Sequence, residues 1–218
     1  MSSLNNKQGT DPPLVVLVHG ILMTGLELSL LAHRLRRQGF APQRFRYRSR
    51  AAGPDQQAGR LQDWLQARAP AQVHFVGHSL GGILLLHLFD RFPDQPPGRL
   101  VLLGSPVAGS QVARVLAAHP HTRWLLGRGG EQGLLGGAPR WCGGRDLGVI
   151  AGSQNLGVGR LITRLPSPND GTVAVAETQL AGAKESLVLP VSHMGMVAAP
   201  SVADAVGRFL AQGSFRQP

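Results

Sequence analysis

Val73-His74-Phe75-Val76-Gly77-His78-Ser79-Leu80-Gly81-Gly82 carries three structural signals in ten residues. Val73 to Val76 is a short apolar run rich in β-branched and aromatic residues, which predicts a buried strand. Leu80 to Phe92 is strongly apolar and is stopped by Pro93, which predicts a buried helix. Between them, Gly77-His78-Ser79-Leu80-Gly81 fits G-x-S-x-G, a sharp strand-to-helix turn that lifts a serine hydroxyl above a sheet. The glycines on either side of Ser79 remove side chains where the backbone turns and passes close to its neighbours. The positive end of the following helix then lies beneath the hydroxyl.

Working outward, Leu14–Val18 reads as a first buried strand, bounded by Pro12-Pro13 and His19-Gly20. Leu26, Leu30, Leu31 and Leu35 recur at helical spacing up to Gly39. Arg44, Arg46, Arg48 and Arg50 alternate with Phe45, Tyr47 and Ser49, the period of a strand with one arginine-bearing face. A helix is expected around Leu61, Trp64 and Leu65, further strands at Leu100–Leu103, Leu147–Ala151 and Ser186–Leu189, and a closing helix at Val202–Leu210. Strands and helices that alternate, with strands apolar on both faces, predict an α/β fold with a mostly parallel sheet covered on both sides. With no repeats and no obvious linker, residues 1–218 read as one domain, preceded by a polar extension at 1–13. Residues 105–144 are long for a crossover and carry Trp124, Leu125, Leu126, Leu134, Leu135 and Trp141 among many glycines, so a cap or pocket wall is expected there.

The 22 Lys plus Arg against 12 Asp plus Glu give a formal charge of +10, and 20 of the 22 are arginine. Seven of these lie between Arg34 and Arg50. Such a surface attracts phosphates and anionic lipid headgroups, and peripheral contact with an anionic membrane is one expectation. There is one Tyr and no basic block with interleaved aromatics, so no specific nucleic-acid partner is expected. No run of 18 apolar residues predicts a membrane span, and residues 1–13 do not read as a signal peptide. A cytoplasmic protein is the default expectation. Cys142 is the single cysteine, which leaves no internal disulfide and no cysteine-based zinc cluster, and nothing in the sequence requires a metal or organic cofactor.

A serine hydroxyl needs a base, and in the elbow arrangement an acid and then a histidine follow the serine in the chain. The histidines after Ser79 are His87, His119, His121 and His193. His87 lies within the apolar helix, and His119 and His121 flank Pro120 in the 105–144 stretch. His193 follows a strand and precedes the last helix, at the carboxyl edge where open α/β sheets gather ligands and catalytic groups. His193 is the expected general base. Among the acids, Asp90 and Asp94 end the helix after the serine, Asp146 precedes a strand, Glu131 sits among glycines, and Glu177 and Glu185 read as surface charges. Asp170, in Pro166-Ser167-Pro168-Asn169-Asp170-Gly171, is the expected partner, orienting His193 without taking its proton. The backbone N–H groups of Leu80 and Ile21, the latter after His19-Gly20, are the expected oxyanion donors.

Val18-His19-Gly20-Ile21, Gly77-His78-Ser79-Leu80-Gly81-Gly82, Asn169-Asp170-Gly171 and Ser192-His193 together resemble the α/β-hydrolase family, most closely its small bacterial esterases and lipases. The resemblance spans Leu14 to about Leu210. It implies carboxylic ester hydrolysis through an acyl-enzyme on Ser79, with a small-molecule or lipid acyl ester as substrate. It disfavours the relatives with an aspartate or a cysteine at the elbow. Thioesterase or transacylase chemistry uses the same acyl-enzyme and stands as the alternative, with a non-catalytic binding protein on the same fold as the remaining one. Acyl length, alcohol preference and oligomeric state are not legible in the sequence.

Overall fold

The computed structural model describes residues 11–130 and 132–217. Most of the expected polar extension at 1–13, and Glu131, therefore lie outside the described residues. Six strands form one sheet: β1 (Leu14–Val18), β2 (Ala41–Phe45), β3 (Val73–His78), β4 (Leu100–Leu103), β5 (Leu147–Gly152) and β6 (Glu185–Leu189). Their order is β2-β1-β3-β4-β5-β6, and every pairing is parallel. The helices between them are α1 (Ser29–Arg37), α2 (Pro54–Gln66), α3 (Leu80–Arg91), α4 (Gln111–Ala118), α5 (Pro120–Arg123), α6 (Gly159–Ile162) and α7 (Pro200–Gln212).

Alternation along β1 separates the two cores. Val15 and Leu17 pack with Leu28, Leu31 and Leu35 of the first helical segment and with Val206 and Phe209 of α7. Val16 and Val18 face the other way, into a cluster with Leu61 and Leu65 of α2 and Leu84, Leu85 and Leu88 of α3. Both faces are covered, so the inner strands carry no polar face and read as continuous apolar runs. Strands β2 and β6 are the edges, and Val188 of β6 is 47% exposed. No helix among the described residues is long and apolar enough to cross a membrane.

The chain runs from β1 outward to β2 and then returns to place β3 on the other side of β1. The crossovers reverse direction between β1 and β3, and this leaves a crevice beyond the carboxyl ends of those two strands. Gly20 and Ser79, which follow β1 and β3, stand at that crevice.

Two expectations are corrected. The arginine-alternating strand ends at Phe45, and residues 46–50 continue as a loop that keeps the alternation, with Phe45 and Ser49 buried and Arg46 and Arg48 exposed. The loop is free of the sheet because β1 pairs with β2 only as far as Val18 with Phe45. The buried face of α1 is also shifted. Leu28, Leu31, Ala32 and Leu35 are inside, whereas Leu26 and Leu30 are 56% and 43% exposed, because a 3-10 turn at Leu26–Leu28 precedes α1 and breaks the helical phase.

Phe209 is fully buried, and its ring centroid lies 4.6 Å from that of Phe215 over Gly148 of β5. Phe209→Ala should lower the unfolding free energy by about 3–5 kcal/mol, since the site is closed on all sides and cannot collapse to fill the cavity. Urea denaturation followed by tryptophan fluorescence would measure it, and a loss below about 1 kcal/mol would contradict the packing described.

Candidate active site

Ser79 sits at φ 55° and ψ −122°, a positive-φ backbone for a residue with a Cβ, between the last residue of β3 and the first of α3. That conformation is sparsely populated and costs of order 1–3 kcal/mol unless the surroundings enforce it. Ser79 N–H donates to Leu103 O at 2.8 Å, which ties the turn to the end of β4. A side chain at Gly77 would meet the Gly82 backbone at 2.6 Å, and one at Gly81 would run into the Val18 and His19 carbonyls. The serine side chain is 7% exposed.

Gly20 faces the serine from β1: a Cβ there would stand 3.0 Å from Ser79 Cβ. The next residue, Ile21, is half-buried and packs with Leu80 and Ile83 of α3. Neither Ile21 N–H nor Leu80 N–H donates to another protein group among the described residues. His19, behind this loop, is fully buried, stacked on Tyr47 at 4.3 Å and hydrogen-bonded through Nδ1 to Gly20 O at 2.9 Å. Burial pushes its pKa down, so it is a neutral structural side chain.

His193 and Asp170 meet across the ends of β5 and β6. Asp170 Oδ2 accepts from His193 Nδ1 at 2.7 Å, and both residues are buried. The other carboxylate oxygen, Oδ1, accepts the N–H groups of Thr172 at 2.9 Å and Val173 at 2.7 Å. The main chains are joined as well, His193 N–H donating to Asp170 O at 2.9 Å. With one oxygen held by two backbone donors, the carboxylate has a fixed plane, and Oδ2 is left for the imidazole. Nδ1–H is thereby the donor, and Nε2 is the nitrogen free to accept a proton.

His78, immediately before Ser79, links this pair to the elbow. Its Nε2–H donates to His193 O at 3.1 Å, and the two imidazole centroids lie 4.7 Å apart. His78 is fully buried and Nδ1 has no hydrogen-bond partner. Burial, and then the neighbouring His193, push its pKa down to about 3. His78 thus stays neutral and holds the His193 main chain beside the serine.

The profile of the alpha/beta hydrolase family matches residues 15–212. The chain belongs to this family. Membership supports a hydrolytic activity. No curated protein matched the chain by sequence. The fold is similar to a mature-form lipase of Bacillus licheniformis, with TM-score 0.66 and 16% identity over 94% of this chain and 93% of that one. It is also similar to a hydrolase of Pseudomonas aeruginosa, with TM-score 0.66 and 21% identity over 92% and 91%. A thioesterase from the prodiginine pathway of Streptomyces coelicolor follows at TM-score 0.60 and 15% identity, over 92% and 90%.

The other sequence candidates lie elsewhere. Asp146 joins Arg99 at 3.2 Å and Lys184 at 3.0 Å at the amino ends of the strands, beside a cavity of about 670 Å³ that is remote from Ser79. His87 is packed, with Nε2 donating to Gln132 O at 2.7 Å, and His119 and His121 are exposed. Glu177 is not a surface charge: it is buried, and its two oxygens accept Gln111 N–H at 2.6 Å and Ala174 N–H at 2.9 Å. It pins the start of α4 to the segment that carries Asp170. Its partners are distant in sequence or are backbone groups, so no local pattern marked it. The role of His78 was equally unmarked, because the x of G-x-S-x-G carries no signal of its own.

Among the described residues, no group of three or more His, Cys, Asp or Glu is placed to hold a metal.

His78 and His74, whose pKa values are lowered to about 3 and about 4, have a consequence for stability. Burial is the main cause in both, and Arg99 and Arg145 add to it at His74. Between the folded values and the unfolded 6.5, the unfolded chain binds more protons, so stability is complete above 6.5 and falls as pH falls. From pH 7 to pH 5 the two imidazoles should together remove on the order of 2–4 kcal/mol. Urea midpoints at the two pH values, with His78→Asn reducing the difference, check this. An unchanged midpoint would mean that these rings ionise in the native state.

Proposed function

We propose that the protein is a serine hydrolase that cleaves carboxylic esters of acyl chains through an acyl-enzyme. The observation that carries the reading is the elbow: Ser79 in a strained positive-φ turn at the start of α3, held through His78 to the His193–Asp170 pair. Ser79 Oγ attacks the acyl carbonyl while His193 Nε2 accepts its proton. The tetrahedral oxyanion is stabilised by the N–H groups of Ile21 and Leu80, neither of which donates to a protein acceptor among the described residues. His193 then gives its proton to the leaving alcohol. Water, deprotonated by the same imidazole, attacks the acyl-enzyme and releases the acid and free Ser79. Asp170 keeps the imidazole in the Nδ1–H tautomer and stabilises it when it is charged.

Exposed apolar side chains on the loops and the short helix α6 after β5 and β6 favour acyl substrates: Leu156, Val158, Leu161 and Met194, with Leu161 85% exposed. Residues 105–144 are read as the cap. Their Leu126 and Leu134 pack on Leu80 and Ile83 at the start of α3, and Trp124 O accepts from Arg50 at 2.8 Å. A second reading, thioester hydrolysis, draws on the thioesterase among the similar folds.

Fluorophosphonate labelling tests the nucleophile, and p-nitrophenyl esters of increasing chain length assayed beside acyl-CoA test the leaving group. Labelling should fall on Ser79 and vanish in Ser79→Ala. Ser79→Ala and His193→Ala should each lower kcat by at least about 10³-fold, and Asp170→Asn by less, with the fold retained by circular dichroism. Well-folded protein without labelling would support a binding protein instead, and a preference for thioesters over all oxygen esters would replace the esterase assignment.

A further inference from the structure

Beside the crevice, on the β2 side of Ser79, lies an open cleft of about 1000 Å³. Its walls include Arg46, Arg48, Arg50 and Arg60, together with the apolar Leu22 and Leu26, and no carboxylate. The loop that forms much of it is the arginine-alternating segment that left the sheet at Phe45. Once unpaired from β1, that segment carries its charged face to the wall of a cavity rather than along a strand.

The arginines are poorly compensated. Among the described residues, none of the four is ion-paired, and the side chains of Arg46 and Arg48 make no hydrogen bond. Arg50 uses one N–H on Trp124 O, while its Nε is buried without a partner, and Arg60 reaches only Gln57 at 3.4 Å. Glu27, beyond Leu26, has its carboxylate engaged by Gly25 N–H at 3.1 Å. Four arginines line a space whose walls hold no acid, which makes the field there positive, and the Arg50 guanidinium lies over the Trp124 ring at 4.9 Å.

The cleft also adjoins the reacting atoms. Met23 lines it, and the Met23 sulfur accepts Gly20 N–H at 3.3 Å, directly behind the glycine that abuts Ser79. Leu22 N–H donates to Ser49 Oγ at 3.1 Å, which fastens the loop after β1 to the arginine loop. The cleft thus lies next to the Ser79 crevice, joined to it through Met23 and Gly20.

We propose that this cleft binds a phosphate group carried by the substrate itself, so that the preferred acyl esters or thioesters are phosphate-bearing. The proposal rests on the hydrolase reading for its second half and on the cleft alone for its first. Phosphate fits the walls better than a carboxylate. Its tetrahedral oxygens accept forked N–H pairs from guanidiniums on different sides, and a monoester carries about −1.5 to −2 charges at neutral pH. The apolar Leu22 and Leu26 provide a surface for the carbon segment that joins phosphate to ester.

The test compares matched pairs: hexanoylglycerol with its phosphate ester, and hexanoyl-pantetheine with hexanoyl-phosphopantetheine. The ratio of kcat/KM, phosphate-bearing over neutral, should be at least about tenfold for one pair and should fall towards one in Arg46→Gln/Arg48→Gln. Which pair shows the ratio identifies the phosphate's source. Raising the salt concentration should lower the ratio, as the arginines are solvent-accessible. Equal turnover within both pairs overturns the proposal, and an equal gain from a hemisuccinate in place of the phosphate overturns the assignment to phosphate. Should no ester be hydrolysed, the hydrolase reading fails and binding to Ser79→Ala decides the cleft. Calorimetric binding of glycerol phosphate that the paired substitutions weaken about tenfold or more upholds it, and binding no better than that of glycerol overturns it.

Discussion

The crowding around Ser79 is the constraint on which the rest of the molecule depends. Strand β3 becomes helix α3 within a single residue, and this brings three chain segments to near contact. The first turn of α3 lies on the Val18 and His19 carbonyls, while Gly82 lies against Ser105 after β4. The same contacts enforce the positive φ at Ser79, whose cost is therefore met by packing across β1, β3 and β4 rather than locally. A consequence is that the loops after these strands are positioned by one another. The hydroxyl, the two unengaged N–H groups and the crevice all follow from one backbone turn.

The Asp170–His193 pair is built differently. Asp170 and His193 lie on loops after β5 and β6, the outer part of the sheet, where packing is weaker and Val188 is half exposed. Hydrogen bonds replace packing there. Two N–H groups orient the Asp170 carboxylate, its carbonyl accepts from His193, and His78 holds the His193 carbonyl from the elbow side. His78 can perform this role only while neutral. Its burial beside a second imidazole, which would repel a charge on it, keeps it so. Burial thus fixes geometry through a protonation state as well as through contact.

The fold was legible because its inner strands are buried on both faces. Leu14–Val18 and Leu100–Leu103 are bounded as their apolar runs are, and parallel pairing adds no pattern that competes with this signal. Ser79, Asp170 and His193 each sit in a short local motif at a strand's carboxyl end, and the structure brings Asp170 to His193 at 2.7 Å. What escaped the sequence depends on contacts between distant segments. Alternation at Arg44–Arg50 is real, but whether alternating residues form a strand depends on a neighbour with which to pair, and β1 ends first. The face of α1 was displaced by a 3-10 turn, which changes the helical phase by a fraction of a turn without altering composition. Glu177 reads as a surface charge because a lone glutamate carries no sign of the two backbone donors that meet it.

The charge of +10 needs the same treatment, because a total does not say where a field acts. Among the described residues, the ion pairs of Lys and Arg with carboxylates both fall on Asp146, at the edge of the sheet far from Ser79. The excess arginine is thus largely unneutralised, and its effect depends on local geometry. On the outer faces of α1, Arg34, Arg36 and Arg37 are spread around a helix end, where positive charge complements the helix dipole and is screened by water. Around the loop after β2, Arg46, Arg48, Arg50 and Arg60 surround a concave space, where low-dielectric walls concentrate the field. The same residue type therefore meets a helix end in one place and lines an acid-free cleft in the other. Unpairing from β1 at Phe45 separates these two outcomes: had β2 continued to Arg50, the arginines would line a flat sheet edge and no cleft would exist.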